Sequence, residues 1–355
     1  MTRMRVALIA SSRHPVREPF AGGLEAHTWS LARVLTRRGH KVTLFAAPGS
    51  DPELDVLELP VRRAVLSEAA RADVSMPDPA RMDEHHAYLR LMLDLARDGD
   101  LRFDVVHNNS LHYLPVAMAS ALPLPVVTTL HTPPTPWLES AVQAQDDCPV
   151  VFTAVSDFTA GAWLATVPAA RVVRNGIDTR LWPVGQGGGG LVWSGRLVPE
   201  KGPHLAIEAA RRAGLPLVLA GPVGDRAYFE EQVAPGLGGD IVHAGHLAQA
   251  DLAELLGRAD AALVTPMWDE PYGLVVAEAL ACGTPVCGFR RGALPEIVTP
   301  ACGVLGPPGD AAALARLLPR AMALSRHAAR ERAVTFCCVE RAADAYTALY
   351  EEVAA

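Results

Sequence analysis

Trp268-Asp269-Glu270-Pro271-Tyr272-Gly273-Leu274-Val275-Val276-Ala277-Glu278-Ala279-Leu280-Ala281-Cys282-Gly283-Thr284-Pro285-Val286 follows one short apolar run, Ala261–Thr265, and leads into another, Pro285–Gly288. Runs this short, bounded by proline and glycine, read as buried strands rather than helices. Between them a Pro/Gly loop follows Thr265-Pro266, and a helix opens near Leu274 and covers Leu274–Ala281. Strand, loop, helix and strand in that order form a parallel α/β unit.

The same alternation extends outward in both directions. Towards the N-terminus, strands are expected at Leu191–Ser194, Pro216–Ala220 and Ile241–Ala244, with a helix at Pro203–Ala213. The run Gly187-Gly188-Gly189-Gly190 before them reads as a linker or loose loop. An earlier set begins with the strand Arg5–Ala10. The helix Leu24–Arg38 follows, stopped by Gly39, and then the strand Lys41–Ala46, closed by Pro48-Gly49. Further strands are expected at Val105–His107, Val126–Leu130 and Val150–Ala154. The less regular stretch Asp51–Asp100 holds a helix at Asp83–Arg97, and Ala311 to Glu352 is helical in two or three pieces. Two doubly wound units facing each other would enclose a cleft at the carboxyl ends of their strands.

Composition narrows the class. A chain of 355 residues, half of them hydrophobic, is long enough for two cores. A net charge of -7 argues against a nucleic-acid binder. Cys148, Cys282, Cys287, Cys302, Cys337 and Cys338 make no CxxC pair, so reduced structural thiols in a cytoplasmic protein are expected. The apolar run at Met4–Ala10 is too short for a signal peptide, and no run of about 18 apolar residues would cross a bilayer. Contact with a membrane surface stays open, because the basic residues of Arg62–Arg81 are too mixed to define a patch.

Two stretches carry the chemistry. The free N–H groups and positive dipole end of a helix opening at Leu274 suit a diphosphate. Glu270 before the helix and Glu278 about a turn inside it would accept hydrogen bonds from sugar and ribose hydroxyls respectively. The plain alternative is an amphipathic helix with one surface acid. In Ser194-Gly195-Arg196-Leu197-Val198-Pro199-Glu200-Lys201-Gly202, Arg196 and Lys201 fall at the carboxyl end of a strand. There they could clamp a diphosphate and stabilise charge on a departing phosphate. Two solvated surface cations are the plain alternative.

Together these runs resemble family 4 of the retaining glycosyltransferases, a family with the GT-B fold of two Rossmann-like domains and a cleft between them. Ala21-Gly22-Gly23-Leu24-Glu25, Ala154-Val155-Ser156 and Asn175-Gly176-Ile177-Asp178 extend the resemblance over most of the chain. It implies an N-terminal, acceptor-side domain at 1–178, completed by a C-terminal helix at 338–355, and a nucleotide-sugar domain at 179–337. It implies transfer of a hexose-type sugar from a nucleoside-diphosphate sugar to a hydroxyl acceptor, with retained configuration. No metal and no cofactor would be needed, because Arg196 and Lys201 would do a metal's work. A UDP-sugar is favoured over a GDP-sugar as co-substrate, and the acceptor is a small molecule or a lipid.

Carried onto this sequence, the resemblance gives His131, Arg196, Lys201 and Glu270 as catalytic. Gly22, Gly23, Asn175, Tyr272, Gly273, Leu274, Val275 and Glu278 join the last three as donor-binding. His131, after a buried strand, would hydrogen-bond a sugar hydroxyl, and Ser156 would line the cleft floor. The glycines allow close backbone approach. Arg174 stands where a small residue or proline is usual, and Tyr272 where Phe is common. Asp98-Gly99-Asp100 matches a metal-binding DxD pattern but reads as a surface turn. His85-His86 and His243-x-x-His246 lack a third ligand. His107 and His112 lie near a strand end, within reach of an acceptor. A nucleotide-sugar epimerase, a Rossmann-type oxidoreductase and a silent binding protein are the competing readings. The second would need a glycine fingerprint that the chain lacks.

Overall fold

A computed structural model describes residues 3–75, 78–145 and 147–355. Met1, Thr2, Met76, Pro77 and Asp146 lie outside them; all five fall in the expected first domain, and Met76 and Pro77 in the stretch Arg62–Arg81. The first sheet contains β1 (Arg5–Ile9), β2 (Lys41–Ala46), β3 (Val56–Glu58), β4 (Val105–Asn108), β5 (Val126–Leu130), β6 (Val150–Ala154) and β7 (Arg171–Val172). The second contains β8 (Leu191–Ser194), β9 (Leu217–Ala220), β10 (Ile241–His243), β11 (Ala261–Val264), β12 (Val286–Phe289) and β13 (Gly303–Gly306). Their orders are β3-β2-β1-β4-β5-β6-β7 and β10-β9-β8-β11-β12-β13. Every ladder is parallel, with Val6 beside Val42 and Val105 in one sheet and Val192 beside Val218 and Ala262 in the other. This is the expected two-domain, Rossmann-like GT-B architecture.

The strands are nearly continuous runs of buried residues because helices cover both faces of each sheet. In the helix Gly23–Arg37, His27, Leu31 and Leu35 fall at successive i, i+4 positions on the buried face. The C-terminal helix Val339–Val353 returns to the first sheet, where Val339, Ala343, Tyr346 and Tyr350 share a core with Val6, Leu8 and Leu44. Arg38 ties it to the first helix through Glu340 at 2.8 Å and Asp344 at 2.6 Å. The chain passes between the sheets twice, and the two passes are hydrogen-bonded to each other. Ile177 N donates to Cys337 O at 2.8 Å, and Val339 N to Ile177 O at 3.0 Å. A Cβ on Gly176 would come within 2.5 Å of the Val339 Cα, so only glycine permits this crossing.

Several expectations need correction. The run Gly187–Gly190 is not loose. Asp260 accepts from Gly188 N at 2.6 Å and Gly190 N at 3.0 Å, while Gly189 N donates to Arg258 O. Positive φ at Gly187, Gly188 and Gly190 explains the glycines as conformational requirements of a pinned turn. Asp98-Gly99-Asp100 is no turn but a kink inside the helix Pro79–Arg102. Asp98 pairs with Arg102 at 3.0 Å, and a Cβ at Gly99 would press on Leu124 at 2.9 Å. β3, β7 and β13 and the helices Pro136–Gln143, Asp157–Trp163 and Gln249–Arg258 are additional to the expected elements. No helix among the described residues is long and apolar enough to cross a membrane.

Candidate active site

Strand order reverses between β1 and β4 in the first sheet and between β8 and β11 in the second. Ligands of doubly wound sheets lodge at such switch points, and here both open onto one cleft of about 350 Å³. Gly22 and Gly23 follow β1, His131 follows β5, and Asn175 follows β7. Arg196 and Lys201 follow β8, while Glu270, Tyr272, Gly273, Leu274, Val275 and Glu278 follow β11. All of them line that cleft.

The loop after β8 is held by the end of β11. Trp193 Nε1 donates to Thr265 Oγ1 at 3.0 Å, Thr265 Oγ1 donates to Gly202 O at 2.9 Å, and Met267 N donates to Glu200 O at 2.8 Å. Gly202 has φ +61°, and a Cβ there would lie 2.3 Å from Thr265 O. This anchoring presents Lys201, whose Nζ is 2.5 Å from Glu270 Oε2. The same oxygen accepts from Trp268 Nε1 at 3.0 Å, and Lys201 sits 5.2 Å from the Trp268 ring centroid. The Glu270 backbone is fixed in turn by Ala293 N, which donates to its carbonyl at 2.8 Å. Glu270 Oε1 and the exposed Arg196 guanidinium have no partner among the described residues, so an acceptor and a fork of donors face the cleft.

The helix Leu274–Ala281 begins at Gly273, whose φ of +101° turns the chain sharply, and no side chain caps it. Its N-terminal N–H groups and dipole therefore remain available to an anion. One turn in, the Glu278 carboxyl finds no hydrogen-bond donor among the described residues, and burial pushes its pKa up to about 7. Tyr272 contributes its ring and backbone only. Its hydroxyl is buried beside the Cys337 thiol, and burial holds it well above the usual phenol range.

On the opposite wall His131 Nε2 donates to Asn109 Oδ1 at 2.7 Å, which leaves Nδ1 as an acceptor. Burial, with His27 and His107 nearby, keeps this imidazole neutral, well below its ordinary pKa. His27, whose ring lies 5.2 Å from that of His131, is buried with both nitrogens unpartnered among the described residues and a pKa of about 4. Asn175 likewise keeps a buried Oδ1 without a partner. A Cβ on Gly23 would meet Leu274 across the cleft at 3.2 Å, so the bare backbone sets the wall-to-wall distance there.

Further contacts close the back of the cleft. Ser156 Oγ donates to Pro271 O, and the Glu296 carboxylate accepts from the N–H groups of Asp157 at 3.0 Å and Phe158 at 2.7 Å. Arg174 pairs with Asp157 and lies 3.4 Å from Glu296, so its side chain braces this junction instead of contacting the cleft. At the front, His246 Nε2 donates to Phe20 O at 3.0 Å.

His107 is withdrawn from any acceptor. It is buried in β4 between the Tyr350 hydroxyl at 2.5 Å and Thr129 Oγ1 at 2.8 Å, and its pKa is pushed down to about 3. His112 is stacked between Tyr88 and Tyr113. His243 Nε2 donates to Gly221 O at 2.9 Å, and among the described residues neither His243 nor His246 belongs to a cluster of side chains that could hold a metal. Trp193, His27, Asn109 and Glu296 were missed in the sequence. Only His27 carried a signal, four residues after Gly23 on the buried face of its helix.

Comparison with known proteins bears on the family and the fold. Residues 21–181 match the family Glycosyltransferase Family 4, and residues 189–334 match Glycosyl transferases group 1. The chain is 29% identical over 384 residues to glycogen synthase of Mycobacterium tuberculosis, covering 93% of this chain and 90% of that protein. It is 28% identical to the MMP alpha-(1->4)-mannosyltransferase of Mycolicibacterium hassiacum, covering 99% of each. Among solved structures, HepE from Anabaena in complex with UDP and glucose superposes with a TM-score of 0.75 at 19% identity, covering 99% of this chain and 100% of that one. AviGT4, a glycosyltransferase involved in avilamycin A biosynthesis, superposes at 0.70 with 23% identity, covering 99% and 98%. Two matching families that between them take in twelve of the thirteen strands, on a fold shared with these transferases, identify the chain as a glycosyltransferase of the family 4 type with the GT-B fold.

Proposed function

We propose that the protein moves a hexose-type sugar from a nucleoside-diphosphate sugar to an acceptor hydroxyl with retention of configuration, and that it needs no metal. The single observation that carries this reading is the second wall of the cleft. There the unpartnered Arg196 and the Lys201 ammonium share one cleft with the uncapped N-terminus of the helix Leu274–Ala281. That is a concentration of positive potential suited to a diphosphate. Glu278 then accepts from the ribose hydroxyls, and Glu270 Oε1 from the sugar. His131 Nδ1 accepts from a sugar hydroxyl on the first wall. The backbone at Gly22, Gly23, Gly273, Leu274 and Val275 approaches the phosphates, with Asn175 and the Tyr272 ring beside them. The division of labour is an acceptor-side body, 1–178 with 338–355, and a donor-side body, 179–337.

The bond between the anomeric carbon and the phosphate oxygen breaks while the acceptor oxygen joins that carbon on the same face. As that bond breaks, negative charge builds on the departing phosphate, where Arg196 and Lys201 stand, and its oxygen then takes the acceptor proton. The Anabaena neighbour was solved with UDP and with UDP-glucose, which supports UDP as the nucleotide. The experiment is a thermal-shift series with UDP, GDP, ADP, TDP and NAD. A saturable response to UDP above the others, followed by turnover of a UDP-sugar unaffected by a chelator, supports the reading. A response to NAD alone, or turnover lost with chelator and restored by added metal, overturns it.

A further inference from the structure

Beside the cleft, on the first wall, four rings stack in series. Tyr88 and His112 have centroids 4.2 Å apart and planes 14° apart. His112 and Tyr113 follow at 5.0 Å and 22°, then Tyr113 and Trp137 at 4.9 Å and 25°. The inner end is rigid. Tyr88 is buried, its hydroxyl donates to Ala10 O at 2.9 Å and accepts from Ser12 N at 3.0 Å, just past β1. His85 braces the third ring through a hydrogen bond between its Nδ1 and the Tyr113 hydroxyl at 3.1 Å. The outer end is open: Trp137 is 61% exposed although Tyr113 covers one face of its indole. The column lies close along the chain to the cleft: Leu111, which directly precedes His112, and Thr132, five residues before Trp137, both line it.

Isolated exposed aromatics are ordinary on protein surfaces. A stack fixed at its buried end and finished by a bare indole face is different, because the platform loses little freedom when a ring settles on it. Leu111, 37% exposed and part of the cleft lining, adds an apolar surface next to His112 in the chain. The positive groups proposed for the diphosphate stand on the opposite wall, and none of the four rings is among the first-wall residues proposed to meet the donor (Gly22, Gly23, His131 and Asn175). We propose that Trp137, supported by Tyr113, is a stacking subsite for a carbohydrate ring of the acceptor that lies beyond the unit carrying the reacting hydroxyl. This inference rests on the transferase reading above and names its acceptor class: a glycoside of at least two rings.

The test uses full-length protein labelled with 5-fluorotryptophan, with UDP present and the Trp137 resonance assigned from W137F. Methyl α-maltoside and p-nitrophenyl α-glucoside are titrated separately. The expected result is a saturable shift of the Trp137 resonance with the disaccharide. Tyr113→Leu, which keeps the reporter but removes its support, should abolish or weaken that response while leaving the UDP thermal shift unchanged. A response to the aryl glucoside alone, or a shift only at another tryptophan, overturns the carbohydrate subsite. So does no shift with either probe while UDP still binds. Loss of UDP binding in the unaltered protein instead counts against the donor reading, which separates the two failures.

Discussion

Ser156 Oγ lies 2.6 Å from the carbonyl oxygen of Pro271, joining the first wall of the cleft to the loop that carries Glu270. The same oxygen accepts from Thr159 N at 3.0 Å, so it both caps the helix Asp157–Trp163 and clamps the opposite wall. Ser156→Ala removes the cap and takes one of two hydroxyls from a buried carbonyl, a cost of about 1–3 kcal/mol. Urea unfolding should show that loss. An unchanged midpoint would mean that the clamp contributes nothing.

Lys201 and Glu270 form the other cross-link of the site, within the second wall. Lys201→Ala should lower kcat with a UDP-sugar by about 10²–10³-fold, the usual effect of removing a group that stabilises developing charge. The melting temperature should stay near that of the unaltered protein, because both side chains are partly exposed. Turnover within twofold of the original would remove Lys201 from the reaction.

Glu278 links pH to both stability and binding. Its pKa of about 7 lies above the ordinary 4.5, so the folded protein holds this proton more tightly than the unfolded chain. The group therefore costs stability as pH rises from 4.5 to 7, and the full cost is present above 7. Glu278→Gln should stabilise the ligand-free protein by about 1–3 kcal/mol at pH 8 and by nothing at pH 4. The same change should weaken UDP binding, which calorimetry at pH 8 would measure. A variant that binds UDP as well as the original would refute the ribose contact.

Acid should act through the histidines. His27 and His112 titrate at about 4 and His107 at about 3, all below the ordinary 6.5, because burial disfavours their charged forms. The unfolded chain takes up these protons below pH 6.5 and the folded one does not. Their contribution is whole above pH 6.5 and is lost as pH falls towards 4, each at up to about 1.4 kcal/mol per pH unit. Guanidinium unfolding at pH 7, 6 and 5 should show a steep decline despite the opposite slope of Glu278. A flat profile would contradict neutral buried imidazoles.

Much of the fold could be read from apolar runs punctuated by glycine and proline, which is why β8, β11 and the helix Leu274–Ala281 were found nearly to the residue. What escaped lacks that contrast. β7 is two residues long, β3 is a largely exposed edge, and β13 reads Gly-Val-Leu-Gly, with too little apolar length to register. The site residues that were legible sit in loops whose composition is unusual: Arg196, Lys201, Glu270 and their neighbouring glycines. Glu296 and Asn109 were not, since their roles depend on partners 138 and 22 residues away. The glycine run at 187–190 misled because glycine marks flexibility and enforced conformation alike, and only Asp260 distinguishes them.

The paired crossing at Ile177 and Cys338 has a mechanical consequence. Two independent straps would let the halves of the molecule slide, twist and part separately. Here the straps are fused by hydrogen bonds on both sides of Ile177, with the Gly176 backbone pressed against Val339. The glycine run that follows is pinned as well, to Asp260 and Arg258 beside the second sheet. Both crossings between the sheets therefore form one joined strap, and a load on either is shared by the other.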